Sequence, residues 1–171
     1  MNMIVAVCKN GGIGLKNKLP WSIPNELAYL KTTTKDDNCL VMGKNTWDSL
    51  KCTPLLGRKI ILSSTLKQED VSQFKNTIVL NNYNSLDNEI NMLNKNKIWF
   101  VGGKSIYDYY INHDDLKFIH LTKIYEDFNY DVKFPKIPEN FRVIEKSSVR
   151  SNNNINYTND ILIKYKLRLI I

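Results

Sequence analysis

A chain of 171 residues has the length of one domain with a real core, and 43% hydrophobic against 24% charged residues excludes a disordered polymer. No apolar run nears the roughly 20 residues of a membrane helix, and "MNMIVAVCKN" has no basic stretch ahead of its apolar one, which argues against a signal peptide and for a cytoplasmic protein. The formal charge of +7 would attract an anionic ligand, but the lysines are scattered among asparagines, as in "NNYNSLDNEINMLNKNK", so they read as a solvated surface rather than a nucleic-acid face.

In chain order, "MIVAVC" (3–8) is the first short run rich in Val and Ile, with the length of a buried strand. A helix candidate at 25–34 follows, then "CLVMG" (39–43), a helix at 44–50, "KIILSS" (59–64) and "TIVLN" (77–81). A helix at 85–94, the strand "IWFVGG" (98–103) and a helix at 104–111 complete an alternating series. Such alternation implies a largely parallel sheet with helices on both faces. Beyond residue 115, "LKFIHLTKIY", "FRVIEKSSV" and "DILIKYKLRLI" read as strands, with "SNNNIN" as a hairpin turn between the last two. The expected fold is α/β: one domain over 1–171, a central, mostly parallel eight-stranded sheet with an antiparallel C-terminal edge, and about four flanking helices. Cys8, Cys39 and Cys52 are odd in number and lack metal-ligand spacing, and only His113 and His120 are present, so no metal site is expected.

Ligands of open α/β sheets bind beyond the carboxyl ends of the strands. Three such ends share one chemistry: Gly43 followed by Lys44, Asn45 and Thr46; Ser63, Ser64 and Thr65; Gly102-Gly103 followed by Lys104, Ser105 and Ile106. Glycine turns commonly serve geometry alone. Three on one sheet edge, each with hydroxyls or a lysine, suggest an extended ligand with several phosphates. Neither a three-glycine dinucleotide fingerprint nor a P-loop is present.

One acid stands apart. Glu26 is the only carboxylate between Lys9 and Asp36, two residues after Pro24. Proline suits the first position of a helix, and an acid in the first turn gains about 0.3–1 kcal/mol, which would explain Glu26 structurally. Yet Leu30 and Thr33 share its helical face, with Leu27 and Trp21 near by. A carboxylate so placed would be desolvated, and its raised pKa would suit proton chemistry near neutrality.

The ordered set "IVAV…GIG…LPW…NELAYL…MGKNTWDSL…PLLGR…ILSS…VGGKSIY…LTKI…DVKFP" resembles the dihydrofolate reductase family from residue 3 to about 135. The resemblance implies NADPH-dependent reduction of 7,8-dihydrofolate to tetrahydrofolate in one-carbon metabolism, by a monomer that could also be one half of a longer chain fused to thymidylate synthase. Glu26 would hold the pterin 2-amino group and N3, with Thr122 orienting its carboxylate and Trp21 a water beside it. Tyr107 and Leu19 would complete the catalytic group. The substrate would lie against Ile4, Val5, Ala6, Leu27, Leu30, Leu50, Leu55 and Val101, with Arg58 gripping its glutamate carboxylate. Leu30, where many relatives carry phenylalanine, predicts altered affinity for folate analogues.

For the cofactor, the resemblance implies contacts from Ala6, from Ile13, Gly14, Leu15, Lys18 and Leu19 of a closing loop, and from Gly43, Lys44, Asn45 and Thr46. Lys44, Asn45 and Thr46 with Ser63 and Ser64 would hold the adenosine phosphates, Gly102, Gly103, Lys104, Ser105, Ile106 and Tyr107 would cradle the pyrophosphate, and Leu62 and Val101 would also meet the cofactor. Gly102-Gly103 would form a cis peptide, and Asp131 would latch the loop. Ser64 stands where some relatives use arginine, leaving Lys44 as the main charge for a 2′-phosphate. Two alternatives remain: a pyrimidine reductase of riboflavin synthesis, against which Glu26 and "PLLGR" speak, and a catalytically silent relative that binds nucleic acid, against which the complete polar set speaks.

Overall fold

A computed structural model describes residues 1–35 and 38–165. In chain order the elements are β1 (Asn2–Val7), β2 (Gly12–Gly14), α1 (Pro24–Thr33), β3 (Cys39–Gly43), α2 (Lys44–Leu50), β4 (Arg58–Leu62), β5 (Thr77–Leu80) and α3 (Tyr83–Asn91). They continue with β6 (Ile98–Gly102), α4 (Lys104–Tyr110), β7 (Phe118–Ile124), β8 (Val132–Lys133), β9 (Phe141–Lys146), β10 (Arg150–Asn152) and β11 (Ile155–Lys164). The α/β alternation is as expected. Helix α3 starts two residues earlier than its spacing suggests, because the Asn82 side chain accepts from Ser85 N–H and caps it. Among the described residues no helix is long and apolar enough to cross a membrane.

The main sheet runs β10-β11-β7-β1-β6-β3-β4-β5, with β9 also pairing β11. Pairs from β7 to β5 are parallel, whereas β11 is antiparallel to β7, β9 and β10. β9 and β10 pair with opposite ends of β11, so they act as one interrupted edge strand. Counted so, the sheet has the expected eight strands and antiparallel edge. Asn153 and Asn154, at φ of 50° and 62°, form the hairpin turn, as paired left-handed residues do in tight hairpins. β11 begins at Ile155, five residues before the expected start at Asp160. Tyr157, Thr158, Asn159 and Asp160 are all buried, and their polarity hides a strand that pairing with β7 enforces. The expected strand residues after Tyr165 lie outside the described residues.

Side chains alternate between two faces. Met3, Val5, Val41, Ile60 and Phe100 pack with Leu86 and Ile90 of α3 and with Ile106 and Tyr110 of α4. On the other face, Ile4, Leu40, Met42, Ile61 and Trp99 pack with Leu30 of α1 and Trp47 of α2. Farther along that face, Ala6 and Ile124 meet Trp21 and Ile23, just ahead of α1. A separate two-stranded sheet, β2 with β8, was not legible in a sequence of two glycines and one isoleucine. It fastens the loop that leads toward Trp21.

Candidate active site

The carboxyl ends of β1, β3 and β6 open into a cleft of about 750 Å³. Glu26 lines it from the first turn of α1, with Leu27 and Leu30 on the same wall. Burial pushes the Glu26 carboxyl from its ordinary 4.5 up to about 7, and among the described residues no counter-charge offsets that penalty. Near neutral pH the group is therefore divided between its two protonation states. Trp21, Ile4, Val5, Ala6 and Val101 also line the cleft. The Trp21 Nε1 donor is buried without an acceptor among the described residues.

Tyr107 ties the floor together. Its hydroxyl lies 2.8 Å from both Ile4 O and Val101 O, so one hydrogen is shared by carbonyls of adjoining strands. Burial, and then the nearby Glu26 charge, raise its pKa, which keeps the phenol protonated. The Gly102-Gly103 peptide is cis, as the resemblance implied. A Cβ at position 102 would meet the Tyr107 hydroxyl at 3.1 Å and Thr46 Oγ1 at 3.2 Å, and its φ of +122° strains any other residue.

Polar groups gather along one rim: Gly43, Lys44, Asn45 and Thr46 from β3 and α2, and Gly103, Lys104 and Ser105 from β6 and α4. Lys44 pairs with Asp48 at 2.6 Å and Lys104 with Asp108 at 2.5 Å, each along its own helix. Asn45 Nδ2 donates to Asn17 Oδ1 at 2.9 Å, joining this rim to the loop opposite. Ile13, Gly14, Lys18 and Leu19 line the cleft from that loop, and Leu62 from β4. Asp131 holds the loop as a latch would: its carboxylate accepts from Lys16 N–H at 2.8 Å, and its own N–H donates to Gly14 O at 3.0 Å.

Several expected residues are not brought to the cleft. Leu15 is occupied in a tight turn, exchanging backbone hydrogen bonds with Lys18. Ile106 is fully buried in the core beneath α4. Ser63 Oγ accepts from the amides of Thr65 and Leu66, which turns the chain after β4, and Ser64 is exposed. Leu55 lines a smaller neighbouring cavity of about 310 Å³ with Lys59 and Phe74.

Arg58 requires the clearest correction. It lies two residues before Ile60, so strand alternation puts it on the α3 face, where Nη2 pairs with Glu89 at 2.7 Å. Lys59, beside it, takes the α1 and α2 face, with Nζ 3.0 Å from Gly57 O and 3.3 Å from Leu55 O. Burial lowers its pKa.

Thr122 is 1% exposed and lies beside Ala6 in the sheet, behind the lining rather than in it. Its hydroxyl accepts from Asn159 Nδ2 at 2.9 Å. Sequence reading missed Asn159, which is not part of the lining, and Ser49 and Val132, which are. Val132 sits in the two-residue β8 and Asn159 in the polar start of β11, where no periodic signal marks them, whereas Ser49, in α2 one helical turn after Thr46, could have been inferred.

The chain matches the model of the family described as dihydrofolate reductase over residues 1–166. It belongs to the dihydrofolate reductase family. A dihydrofolate reductase of Drosophila melanogaster is 34% identical over 96% of this chain and 97% of its own length. One from Ureaplasma parvum is 35% identical over 86% of this chain and 89% of its own. A bifunctional dihydrofolate reductase-thymidylate synthase of Paramecium tetraurelia is 31% identical over 91% of this chain, which spans 33% of that protein. As a dihydrofolate reductase family member the chain is an oxidoreductase of folate metabolism.

Proposed function

We propose that the protein reduces 7,8-dihydrofolate to 5,6,7,8-tetrahydrofolate, with NADPH as the reductant. The observation that carries this reading is the lone acid: Glu26 lies in a largely apolar part of the cleft without a counter-charge among the described residues, its carboxyl raised to about 7. A folate ring offers what such a carboxylate lacks, two adjacent N–H donors in the plane of its oxygens. Glu26 would accept from the pterin 2-amino group and N3, with Leu27 and Leu30 against the ring and Leu50 beyond them. Trp21 Nε1, buried and without an acceptor among the described residues, suits a water or a ligand oxygen beside the acid.

The opposite rim suits a phosphorylated dinucleotide. Lys44, Asn45, Thr46, Lys104 and Ser105 bring cations and donors together around the glycines at the ends of β3 and β6. Bound there, NADPH would supply the hydride that reaches pterin C6. The residues of this chain hold the two rings in contact, exclude water through Ile4, Ala6, Leu19 and Tyr107, and tune the pterin through Glu26. Glu26 faces N3 rather than N5 in this pose, so it acts on the ring and its water rather than by direct protonation of N5.

Mixing the protein with dihydrofolate and NADPH and following the reduced nicotinamide signal tests the proposal. Oxidation that requires dihydrofolate is the expected result. NADPH consumption with a ribosylaminopyrimidine but not with dihydrofolate would replace it with a pyrimidine reductase.

A further inference from the structure

Asn159 lies on β11 directly across from Thr122 of β7 and is 7% exposed. Its two amide ends are distinguished by their neighbours. Arg150 Nη1, 3.3 Å away, can only donate, so the atom it meets is Oδ1. The other end is then Nδ2, which donates to Thr122 Oγ1 at 2.9 Å. A hydroxyl that accepts on one side keeps its own hydrogen for another partner. At 1% exposure Thr122 cannot give that hydrogen to bulk water, and among the described residues no protein acceptor takes it.

The packing of α1 says where it points. Ile23, ahead of the helix, packs near Ala6 and Ile124; Leu30, near the other end, packs with Ile4. The helix therefore runs opposite to β1 and β7. Tyr29 Oη and His120 Nδ1 are hydrogen-bonded at 3.2 Å, which fixes the register between helix and strand. Glu26 is one helical turn before Tyr29, and Thr122 is two strand residues after His120, so the turn bearing the acid lies over Thr122.

We propose that Asn159 is a positioning residue that holds the Thr122 hydroxyl as a donor toward the Glu26 carboxylate. The proposal rests on the reading of Glu26 as the active acid and adds the residue that orders its partner. A donor so aimed favours the ionised carboxylate and works against the burial that favours the neutral one. Among the described residues, the other titratable or charged groups around the acid are Tyr29 on its own helix, His120 on β7, Tyr107 on α4, and Lys18, Lys44 and Lys104 along the cleft, with Arg150 behind Asn159 and with Asp160 of β11 and Glu145 of β9 acting on Tyr29. Burial holds His120 down at about 4, so it is neutral in the range where Glu26 titrates.

The test is the titration of the Glu26 carboxyl carbon by NMR in the ligand-free protein, its signal identified as the one missing from Glu26→Gln. In Asn159→Leu, which has similar volume but no donor, the midpoint is expected to rise by about one pH unit. In a Thr122→Val background the same substitution is expected to move it no further. An unmoved midpoint in Asn159→Leu, or an equal shift in both backgrounds, would overturn the proposal. Asn159→Ala provides the same comparison if the leucine variant does not fold. No substrate is involved, so the result stands apart from whether dihydrofolate is turned over.

Discussion

The two faces of the sheet are made by alternate residues of the same strands, yet they differ in kind. Under α3 and α4, Phe100 stacks on Tyr110 at 4.0 Å, and Tyr109 and Tyr110 both donate to Asp87. Leu86 and Ile106 fill the space between, with no exposure. Under α1 and α2 the packing stops short of the strand ends and leaves a cleft whose wall includes an uncompensated acid. Close packing on one face stabilises the fold; incomplete packing on the other leaves room for a ligand, and desolvation of Glu26 is the cost.

Truncations should separate the faces most strongly. Phe100→Ala is expected to lower the unfolding free energy by about 3–5 kcal/mol. Leu27→Ala, on the cleft wall, should cost less than about 1.5 kcal/mol because no closed cavity forms, while raising KM for dihydrofolate. Similar losses in denaturant unfolding for the two variants would erase the distinction.

A smaller effect, of opposite sign, is expected at the acid. The Glu26 carboxyl titrates near 4.5 when unfolded and at about 7 when folded, so the folded state holds the extra proton between those values. That contribution to stability is complete below the unfolded value and is lost as pH rises through the folded one. Glu26→Gln should therefore match wild type near about pH 4 and exceed it at about pH 8, by up to about 3 kcal/mol. Parallel stability curves for the two proteins would mean that Glu26 is not desolvated.

The smallest effects concern neighbours on β4. Arg58→Met should cost no more than about 1 kcal/mol, as expected for a partly exposed pair with Glu89, and should leave KM for dihydrofolate nearly unchanged. Lys59→Met, on the cleft side, should raise KM more. The reverse order would put the anionic end of the substrate on the α3 face.

The sheet, its parallel half and most of the cleft could be read from the sequence because their signals are local. Short Val/Ile runs mark buried strands, and glycine followed by lysine or hydroxyl residues marks where β3 and β6 end. Glu26 stood out as a single acid among leucines. Other features depend on pairing across the sheet. Asn159 and Thr122 are ordinary polar residues until β11 and β7 align, and the polar residues Tyr157 to Asn159 carry no strand signal of their own until β7 pairs with them. Arg58 shows the sharpest limit: its motif is intact, but a side chain's face depends on strand register, where one residue separates Glu89 from the cleft side. Ser63 likewise has the expected identity, but its hydroxyl is used in its own turn.

The most direct measurement is kcat/KM for dihydrofolate with NADPH in wild type and Glu26→Gln between about pH 6 and 9. A loss of about a hundredfold or more is expected in the variant, with its fold intact by unfolding assay. Equal turnover by the two proteins across that range would contradict a working role for the buried carboxylate.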